Sequence, residues 1–331
     1  IMPLVRATVG LRYETGEQEV GAIDLFSATR PATQRLDNEY LLPAATVTWN
    51  FAEDQQLRVG ASKTIARPQF REQAPQLYLD PESDRLFIGN PYLVDSELVN
   101  IDGRYERYFD RGQFFTLGAF YKDIDKPIES VVNESGSGLQ QSYLNAPRAV
   151  LYGAEVEFKK FFEPSFGVGF IDAQRWLVAA NYTWSKAEVV VEDGDVVFPR
   201  TGSGLSQPAS NYIEDGGRLQ GQSEHLANVQ FGFENDETRT QATFLVTYAS
   251  ERTTARGPAG QPDFVQDPGV NLDFTFRQGF EVWGRDLTFG LEARNLLGAE
   301  FEEYQELGGS RLDLNRFELG RSLSLSLSAR F

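Results

Sequence analysis

The chain has 331 residues, no cysteine, a single histidine and a formal net charge of −17. The lack of cysteine excludes disulfide frameworks, thiolate nucleophiles and zinc–thiolate sites, and one histidine excludes metal sites and catalytic triads built on several histidines. The acidic charge argues against nucleic acid as a partner, because phosphate binding needs a concentrated basic surface.

Strands are the predicted elements throughout the chain. No stretch of about 18 apolar residues occurs, which excludes a helical membrane protein. Apolar and polar residues instead alternate with the period of two that is typical of strands with one apolar face. The pattern predicts about twelve strands of about ten residues, the length that crosses an outer membrane at a tilt. In chain order they lie at residues 3–13, 46–51, 57–61, 99–106, 115–121, 152–158, 176–185, 227–233, 242–248, 270–277, 287–294 and 321–331.

The connections between the predicted strands alternate in length. They are short near 52–55, 110–112, 234–238 and 279–286, moderate near 161–172, and long at 14–39, 67–97, 124–147, 187–222, 251–268 and 297–320. A membrane barrel has short periplasmic turns and long outer loops, whereas soluble sandwiches and propellers show no such strict alternation. The predicted fold class is therefore all-β, a transmembrane antiparallel up-and-down β-barrel. The alternative is a soluble sandwich.

The two faces of the predicted strands differ in charge. Charged residues such as Arg58, Arg104 and Glu155 lie on the polar faces. An arginine that faces lipid at the bilayer midplane costs about 2–4 kcal/mol, so these faces are predicted to line the lumen. Aromatic residues near strand ends fit interfacial girdles, and they are Tyr13, Tyr40, Tyr121, Trp184 and Tyr248.

The final strand resembles the closing strand of bacterial outer-membrane barrels. Leu323, Leu325, Leu327, Ala329 and Phe331 alternate with serine and arginine, and the chain ends on the aromatic residue. In those barrels the assembly machinery reads this alternation together with the terminal phenylalanine. The resemblance therefore implies a barrel-assembly signal at Leu323, Leu325, Leu327 and Phe331.

Three further segments resemble elements of TonB-dependent receptors. Residues 62–68, Ser-Lys-Thr-Ile-Ala-Arg-Pro, resemble a strand-to-loop element of that family. Residues 90–97, Asn-Pro-Tyr-Leu-Val-Asp-Ser-Glu, resemble its NPxLxPE element but depart from the usual Pro-Glu. Residues 295–301, Asn-Leu-Leu-Gly-Ala-Glu-Phe, resemble its NLxDxxY element, with glycine and phenylalanine in place of the acidic residue and the tyrosine. The resemblance covers nearly the whole chain.

This resemblance implies a barrel of about 22 strands with a plugged lumen. Residues 1–331 are then expected to form the C-terminal portion of the barrel domain, about the last twelve strands. The plug domain and the segment that contacts TonB are expected to lie outside this chain. No signal peptide opens the sequence, and Ile1-Met2-Pro3-Leu4 already has the pattern of a strand, which favours a fragment whose N-terminal part is missing.

Ligand recognition is assigned to the long loops and the rim of the lumen. Aromatic residues with polar neighbours there can stack on sugar rings or flat chelates, and the candidates are Phe70, Arg71, Tyr78, Phe87, Tyr92, Tyr212, Phe264 and Tyr304. The competing interpretation is that each of them packs the loops against one another or against the plug. An acidic outer surface suits neutral or cationic cargo better than an anionic siderophore.

Other polar groups receive structural interpretations. The lone histidine, His225, is expected at the rim, at the start of a strand. Asp193-Gly194 is expected at the tip of a hairpin between residues 189–191 and 196–198. A solvated loop is favoured over a cation site for the acidic residues Glu300, Glu302, Glu303 and Glu306. The sequence predicts no enzyme activity, no cofactor and no metal site.

The predicted function is TonB-dependent active uptake of a scarce nutrient across the bacterial outer membrane. The cargo expected from the resemblance is an oligosaccharide, ahead of a siderophore or a cobalamin-type chelate. Expected partners are outer-membrane lipid, the barrel-assembly machinery, the small-molecule nutrient, and TonB through the missing N-terminal part. The alternatives are a passive porin-like channel, with its lumen constricted by loops, and a surface adhesin or structural barrel.

Overall fold

The computed structural model describes residues 4–21, 34–80, 85–135, 138–200, 206–257 and 261–330. Strands dominate these ranges, and in chain order they are β1 (Leu4–Val20), β2 (Gln34–Ala52), β3 (Gln55–Ala66), β4 (Leu77–Asp80), β5 (Arg85–Ile88), β6 (Ser96–Asp110), β7 (Gln113–Asp125), β8 (Ile128–Ser135), β9 (Gly138–Asn145), β10 (Arg148–Phe162), β11 (Arg175–Val190), β12 (Val196–Val197), β13 (Gln207–Pro208), β14 (His225–Asn235), β15 (Thr240–Ala249), β16 (Arg252–Ala255), β17 (Phe264–Gln266), β18 (Gly269–Val282), β19 (Arg285–Arg294), β20 (Glu300–Leu307), β21 (Ser310–Glu318) and β22 (Ser322–Arg330). Two four-residue helices, α1 (Phe70–Gln73) and α2 (Gly169–Asp172), and the 3₁₀ turn Ala209–Asn211 complete the elements. No helix in the described ranges is long and apolar enough to cross a membrane.

One 12-stranded sheet forms the body of the molecule. Its order is β1-β2-β3-β6-β7-β10-β11-β14-β15-β18-β19-β22, so each strand pairs with the next long strand along the chain. Every neighbouring pair is antiparallel. This up-and-down order confirms the predicted fold class, because alternation of period two is a local signal that specifies both the strand and its two faces.

The lengths of the connections confirm the predicted alternation. At one end of the sheet the connections span only residues 53–54, 111–112, 163–174, 236–239 and 283–284. Trp283 and Gly284 have φ of 54° and 73°, as a two-residue hairpin turn with both central residues left-handed requires. At the other end the connections span 67–95, 126–147, 191–224, 250–268 and 295–321, and the first long connection lies between β1 and β2.

The outer faces of the strands are apolar and the inner faces are polar. On β7, Leu117 is 51% exposed whereas its neighbour Thr116 is 4% exposed. On β6, Ile101 is 49% exposed and Glu106 is 5% exposed. A soluble protein buries the apolar face, so this inverted distribution fits a sheet whose outer face contacts lipid and whose inner face lines a lumen.

Aromatic residues concentrate near both ends of the outer face. At the short-turn end the rings of Trp49 and Phe51 lie 5.4 Å apart, and at the long-loop end those of Tyr152 and Trp184 lie 6.0 Å apart. The assignment of Tyr40 to a girdle was wrong. Register places Tyr40 opposite Glu14, on the inner face, because position parity decides which face an aromatic residue occupies.

The long connections build a second layer of strands, which we call the loop crown. It consists of the two sheets β4-β5-β9-β8 and β16-β17-β20-β21. The two sheets join at a parallel bridge between Val131 and Arg256, where Val132 N donates to Arg256 O at 2.9 Å and Arg256 N donates to Ser130 O at 2.8 Å. The crown therefore links connections that are far apart in the chain.

One predicted local element is different in the structure. The hairpin expected between residues 189–191 and 196–198 is absent from the described residues, because Val196–Val197 pairs with Gln207–Pro208 instead. The turn that follows β11 is closed by the Asp195 carboxylate, which accepts a hydrogen bond from Glu192 N at 2.8 Å. Gly194 has a φ of 94°, which suits glycine at this turn.

Candidate functional site

A buried ion pair joins two halves of the loop crown. Arg85 on β5 donates to both carboxylate oxygens of Glu303 on β20, at 3.2 and 2.7 Å. The two side chains are 7% and 5% exposed. Thr254 Oγ1 donates to Glu303 Oε1 at 2.6 Å, and the Arg85 guanidinium lies 4.6 Å from the ring centroid of Phe264. Bidentate geometry and extra hydrogen bonds are what a buried pair needs to offset desolvation.

A second buried ion pair centres on Arg256. Its Nε donates to Glu129 Oε2 at 2.8 Å, and its Nη1 donates to Asp263 Oδ2 at 2.6 Å. The Arg256 and Glu129 side chains are 2% and 1% exposed. Burial raises the pKa of Glu129, and the charge of Arg256 opposes that rise. This arginine also donates to the carbonyl of Arg218 at 2.5 Å, so three of the long connections meet at one side chain.

The acidic residues near β20 are paired rather than freely solvated. Glu303 is buried against Arg85, Glu302 accepts from Arg311 at 2.5 Å, and Glu300 accepts from Arg316 at 2.8 Å. The interpretation as a solvated loop was therefore wrong for these carboxylates, because their partners come from other strands that the local sequence does not reveal. Among the described residues, no group of histidines and carboxylates is placed to hold a metal ion.

An acidic cavity opens between the β11–β14 and β15–β18 connections. Its volume is about 1000 Å³, and Tyr212, Val191 and Pro208 form part of its walls. Its charged lining comprises Arg256 and the carboxylates of Glu192, Asp193, Asp195, Glu214, Asp215 and Asp263. Because Arg256 is paired with Glu129 and Asp263, the other carboxylates keep an uncompensated negative charge within the described part of the chain. Such a cavity favours neutral or cationic ligands.

Asn90 lies in the β3–β6 connection and forms hydrogen bonds with two other long connections. It is fully buried, and its side-chain amide donates to the carbonyls of Tyr143 and Phe198, both at 2.7 Å. Its Oδ1 accepts from Tyr92 N at 3.0 Å. All the strong hydrogen-bonding groups of this side chain are therefore used inside the protein, which gives the first residue of the NPxLxPE-like segment a structural role.

Asp95, the acidic residue of the same segment, forms hydrogen bonds with two residues of β2. Asp95 Oδ2 accepts from Tyr40 OH at 2.8 Å and from Asn38 Nδ2 at 3.2 Å. Arg67, from the first motif segment, lies 4.0 Å from Asp95 and also pairs with Glu14 on β1. The two motif segments therefore meet on the inner face, at the long-loop end of β1, β2, β3 and β6.

Replacing Asn90 with alanine is expected to lower the free energy of unfolding of the rim by about 2–4 kcal/mol, because two carbonyls and one amide lose their partner in a buried site. Hydrogen exchange of the amides in residues 90–95 and 141–146 measures the effect, and exchange should speed up in the variant. Asn211→Ala is the matched control, since Asn211 is exposed. Equal exchange in the two variants would contradict the anchoring role of Asn90.

The predicted ligand-binding residues do not form a single site. Phe70 is 69% exposed, and Arg71, Tyr78 and Phe87 stack together, with the Tyr78 and Phe87 rings 5.4 Å apart. Tyr212 lines the acidic cavity and Tyr92 lines a smaller pocket. Phe264 and Tyr304 are 1% and 7% exposed, so these two residues pack the crown and do not present their rings to solvent.

The predicted assembly residues lie on β22. Leu323, Leu325 and Leu327 are 67–69% exposed on its apolar face. Phe331 lies outside the described residues. Leu325 pairs with Leu291 on β19 and Leu327 pairs with Phe289, so the leucines continue the apolar band of the sheet. Their role as an assembly signal stays a prediction.

Ionisation of Tyr304 makes the stability of the loop crown depend on pH. Burial, and its hydrogen bond to Glu251 Oε2 at 3.1 Å, raise the pKa of Tyr304 to about 12. Because this is above the ordinary value of 10.0, the contribution of the neutral phenol to stability is complete below pH 10 and is lost as the pH rises through about 12.

Glu251→Gln is expected to lower the pKa of Tyr304, because an amide lacks the charge that opposes tyrosinate formation. The value should stay above 10.0, since burial is the larger cause. Titration of tyrosinate absorbance, taken as the difference from Tyr304→Phe, isolates this residue. An unchanged pKa in Glu251→Gln would show that the carboxylate does not act on the phenol.

Sequence reasoning did not find the residues that organise the crown. Arg85, Glu129 and Arg256 lie in the predicted long connections, and no local pattern around them indicates their partners. Asn145 bridges two connections, because its side chain donates to the carbonyls of Val94 and Lys126 at 3.0 and 2.8 Å. All four residues lie in long connections that also contain aromatic residues. This composition indicates that the connections pack together, but it does not indicate which residues contact one another.

The chain matches a family model and is similar to solved structures. The family model described as TonB dependent receptor-like, beta-barrel matches residues 3–296. The chain is similar in structure to a mutant of the ferric enterobactin receptor PfeA from Pseudomonas aeruginosa in complex with enterobactin, with a TM-score of 0.56, 16% identity, and coverage of 98% of this chain and 52% of that chain. It is also similar to the FrpB iron transporter from Neisseria meningitidis, with a TM-score of 0.54, 12% identity, and coverage of 98% of this chain and 42% of that chain. The chain thus spans about half the length of these structures, and at these identities the likeness concerns the fold. No curated protein sequence matches the chain.

Proposed function

Because this chain belongs to the family of TonB-dependent receptor-like β-barrels, we propose that it acts in the TonB-dependent uptake of a metal chelate across the outer membrane. Membership of the family implies the outer membrane of Gram-negative bacteria as the location, and members are receptors and transporters, not enzymes. The apolar outer face of the sheet is the surface that contacts outer-membrane lipid.

One observation supports a ligand site at the long-loop end of the sheet. The long connections of the described ranges lie at one end of the sheet, where four of them supply the strands of the loop crown and a cavity of about 1000 Å³ opens between the β11–β14 and β15–β18 connections. Pockets of this size hold small-molecule ligands. Two buried ion pairs keep the crown ordered, so its binding surface is largely formed before a ligand arrives, which lowers the cost of binding.

The negative charge of the acidic cavity supports a neutral or positively charged cargo. Its unpaired carboxylates disfavour an anionic ligand and suit a neutral or positively charged chelate. A chelate is preferred over an oligosaccharide or a cobalamin because the similar structures are named a ferric enterobactin receptor and an iron transporter.

We also propose that the chain is the C-terminal part of a larger barrel. The match covers nearly all of this chain but only 42–52% of the similar structures. In the described residues β1 pairs only with β2, and β22 pairs only with β19. In this proposal both free edges pair with further strands, and a plug and a TonB-contacting segment belong to the other part. The leucines of β22 are the proposed contact for the barrel-assembly machinery.

Uptake of radioactive iron from a panel of ferric chelates that differ in net charge tests the function. Cells that produce the full-length protein should accumulate iron from neutral or cationic chelates, and both a protonophore and loss of TonB should abolish this accumulation. Accumulation that survives both treatments would identify a passive channel. Binding to the cell surface without accumulation would favour an adhesin.

A further inference from the structure

A small apolar pocket lies where three long connections meet. Its volume is about 260 Å³. Tyr92 and Val94 come from the β3–β6 connection, Ala146 and Pro147 from the β7–β10 connection, and Val196 and Phe198 from the β11–β14 connection. The volume is that of a small ligand, well below that of the acidic cavity.

The walls of this pocket are fixed by two asparagines. Asn90 donates to the carbonyl of Phe198 at 2.7 Å. Asn145 Oδ1 accepts from Val94 N at 2.9 Å, and its amide donates to Val94 O at 3.0 Å. Because hydrogen bonds hold the backbone of both walls, the pocket is formed in the absence of a ligand, and little ordering accompanies binding.

Apolar side chains remain exposed in the pocket walls. Tyr92, Phe198 and Val196 are 40%, 47% and 51% exposed. Their neighbours in the same connections, such as Leu93 and Val197, are at most 1% exposed, so these connections bury other apolar residues and leave the three pocket residues exposed. Two exposed rings in a concave site provide the apolar contact area of a ligand pocket.

Lys126 gives the pocket its charge. Its backbone has a φ of 52°, an unfavourable conformation for lysine, and its carbonyl accepts from Ser96 Oγ at 2.7 Å and from Asn145 at 2.8 Å. Lys126 is exposed and is the one charged residue among those that line the pocket, and its side chain forms no ion pair in the described ranges. Strained residues held by their surroundings concentrate at functional sites.

We propose that this pocket binds a small hydrophobic acid, with an apolar group about the size of one aromatic ring between Tyr92 and Phe198 and a carboxylate on Lys126. The net charge of −17 repels anions in general, so binding at this point needs the local pairing with the ammonium. The site adjoins the acidic cavity, because Val196 lines both, and the proposal does not rest on the proposed transport function.

Fluorine NMR titration of the full-length protein in detergent micelles tests the proposal. The probes are para-trifluoromethylbenzoate, the corresponding benzyl alcohol and the corresponding benzylamine. The benzoate should bind about tenfold more tightly than the alcohol, since a hydrogen bond to a charged group contributes that much affinity, and the amine should bind most weakly. Equal binding of benzoate and alcohol, or no binding of any probe, overturns the proposal.

Two variants locate the site. Phe198→Ala should weaken benzoate binding about tenfold through the loss of apolar contact. Lys126→Asn should remove the preference for benzoate over the alcohol, and asparagine tolerates the left-handed backbone. Phe166→Ala is the matched control, because Phe166 is 78% exposed in the short-turn connection 163–174, outside this pocket. Phe198→Leu, which keeps the apolar bulk without the ring, replaces Phe198→Ala if that variant does not fold. Equal weakening by the Phe166 and Phe198 variants contradicts the assignment.

Discussion

Leu325→Arg is expected to prevent the protein from reaching its folded state in the outer membrane. Leu325 is 67% exposed on the apolar face of β22 and pairs with Leu291. An arginine that faces lipid near the midplane costs about 2–4 kcal/mol. The folded barrel in an outer-membrane fraction is measured by its altered mobility in unheated electrophoresis samples, and this species should be lost.

Ser324→Arg is the matched control for this prediction. Ser324 is the preceding residue, pairs with Glu292 and lies on the polar face, where an arginine remains hydrated and gains an acidic neighbour. The folded species should therefore persist. If both substitutions abolish it, or neither does, then the assignment of the two faces of β22 is wrong.

Glu303→Ala is expected to destabilise the loop crown by about 3–5 kcal/mol, because it leaves Arg85 charged and buried without its partner. The Arg85 and Glu303 side chains are 7% and 5% exposed. Hydrogen exchange and limited proteolysis of β9 and β16 measure the effect, since their residues Gln141 and Thr254 contact the pair. Both strands should lose protection while the 12-stranded sheet keeps it.

Glu302→Ala is the matched control for Glu303→Ala, because it removes a surface ion pair instead of a buried one. Glu302 precedes Glu303 and pairs with Arg311, whose side chain is 39% exposed, so its loss should cost at most about 1 kcal/mol. The double variant Arg85→Leu/Glu303→Leu should recover much of the lost protection, because it removes both charges together. Similar behaviour of the Glu302 and Glu303 variants would show that burial does not decide the strength of this contact.

The main sheet follows from the sequence to a large extent. Alternation over a few residues specifies a strand and its lipid face, and a two-residue turn such as Trp283-Gly284 specifies the next pairing. Tyr40 was misassigned because the sequence suggested an aromatic girdle there, while register places its hydroxyl against Asp95. The extent of β1 to Val20 was also missed, because the polar residues at its end continue the ladder without an apolar face.

The loop crown does not follow from the sequence, for a physical reason. Its contacts join residues with no common local pattern, as in the pair of Arg85 and Glu303, which are 218 positions apart. Phe264 has the neighbours expected of an exposed binding residue, yet the fold packs it under the Arg85 guanidinium. Local periodicity carries no information about such partners. The aromatic content of the loops indicated only that they pack.

The ion pair between Arg85 and Glu303 also constrains how this surface diversifies during evolution. Recombination between related genes that replaces the β3–β6 connection alone brings in a new loop without the matching residue on β20, and a buried charge is left unpaired. We therefore expect the gene segments that encode these two connections to be inherited together. Mosaic alleles that break this linkage should be rare, and the outward surface should vary as a block, not loop by loop.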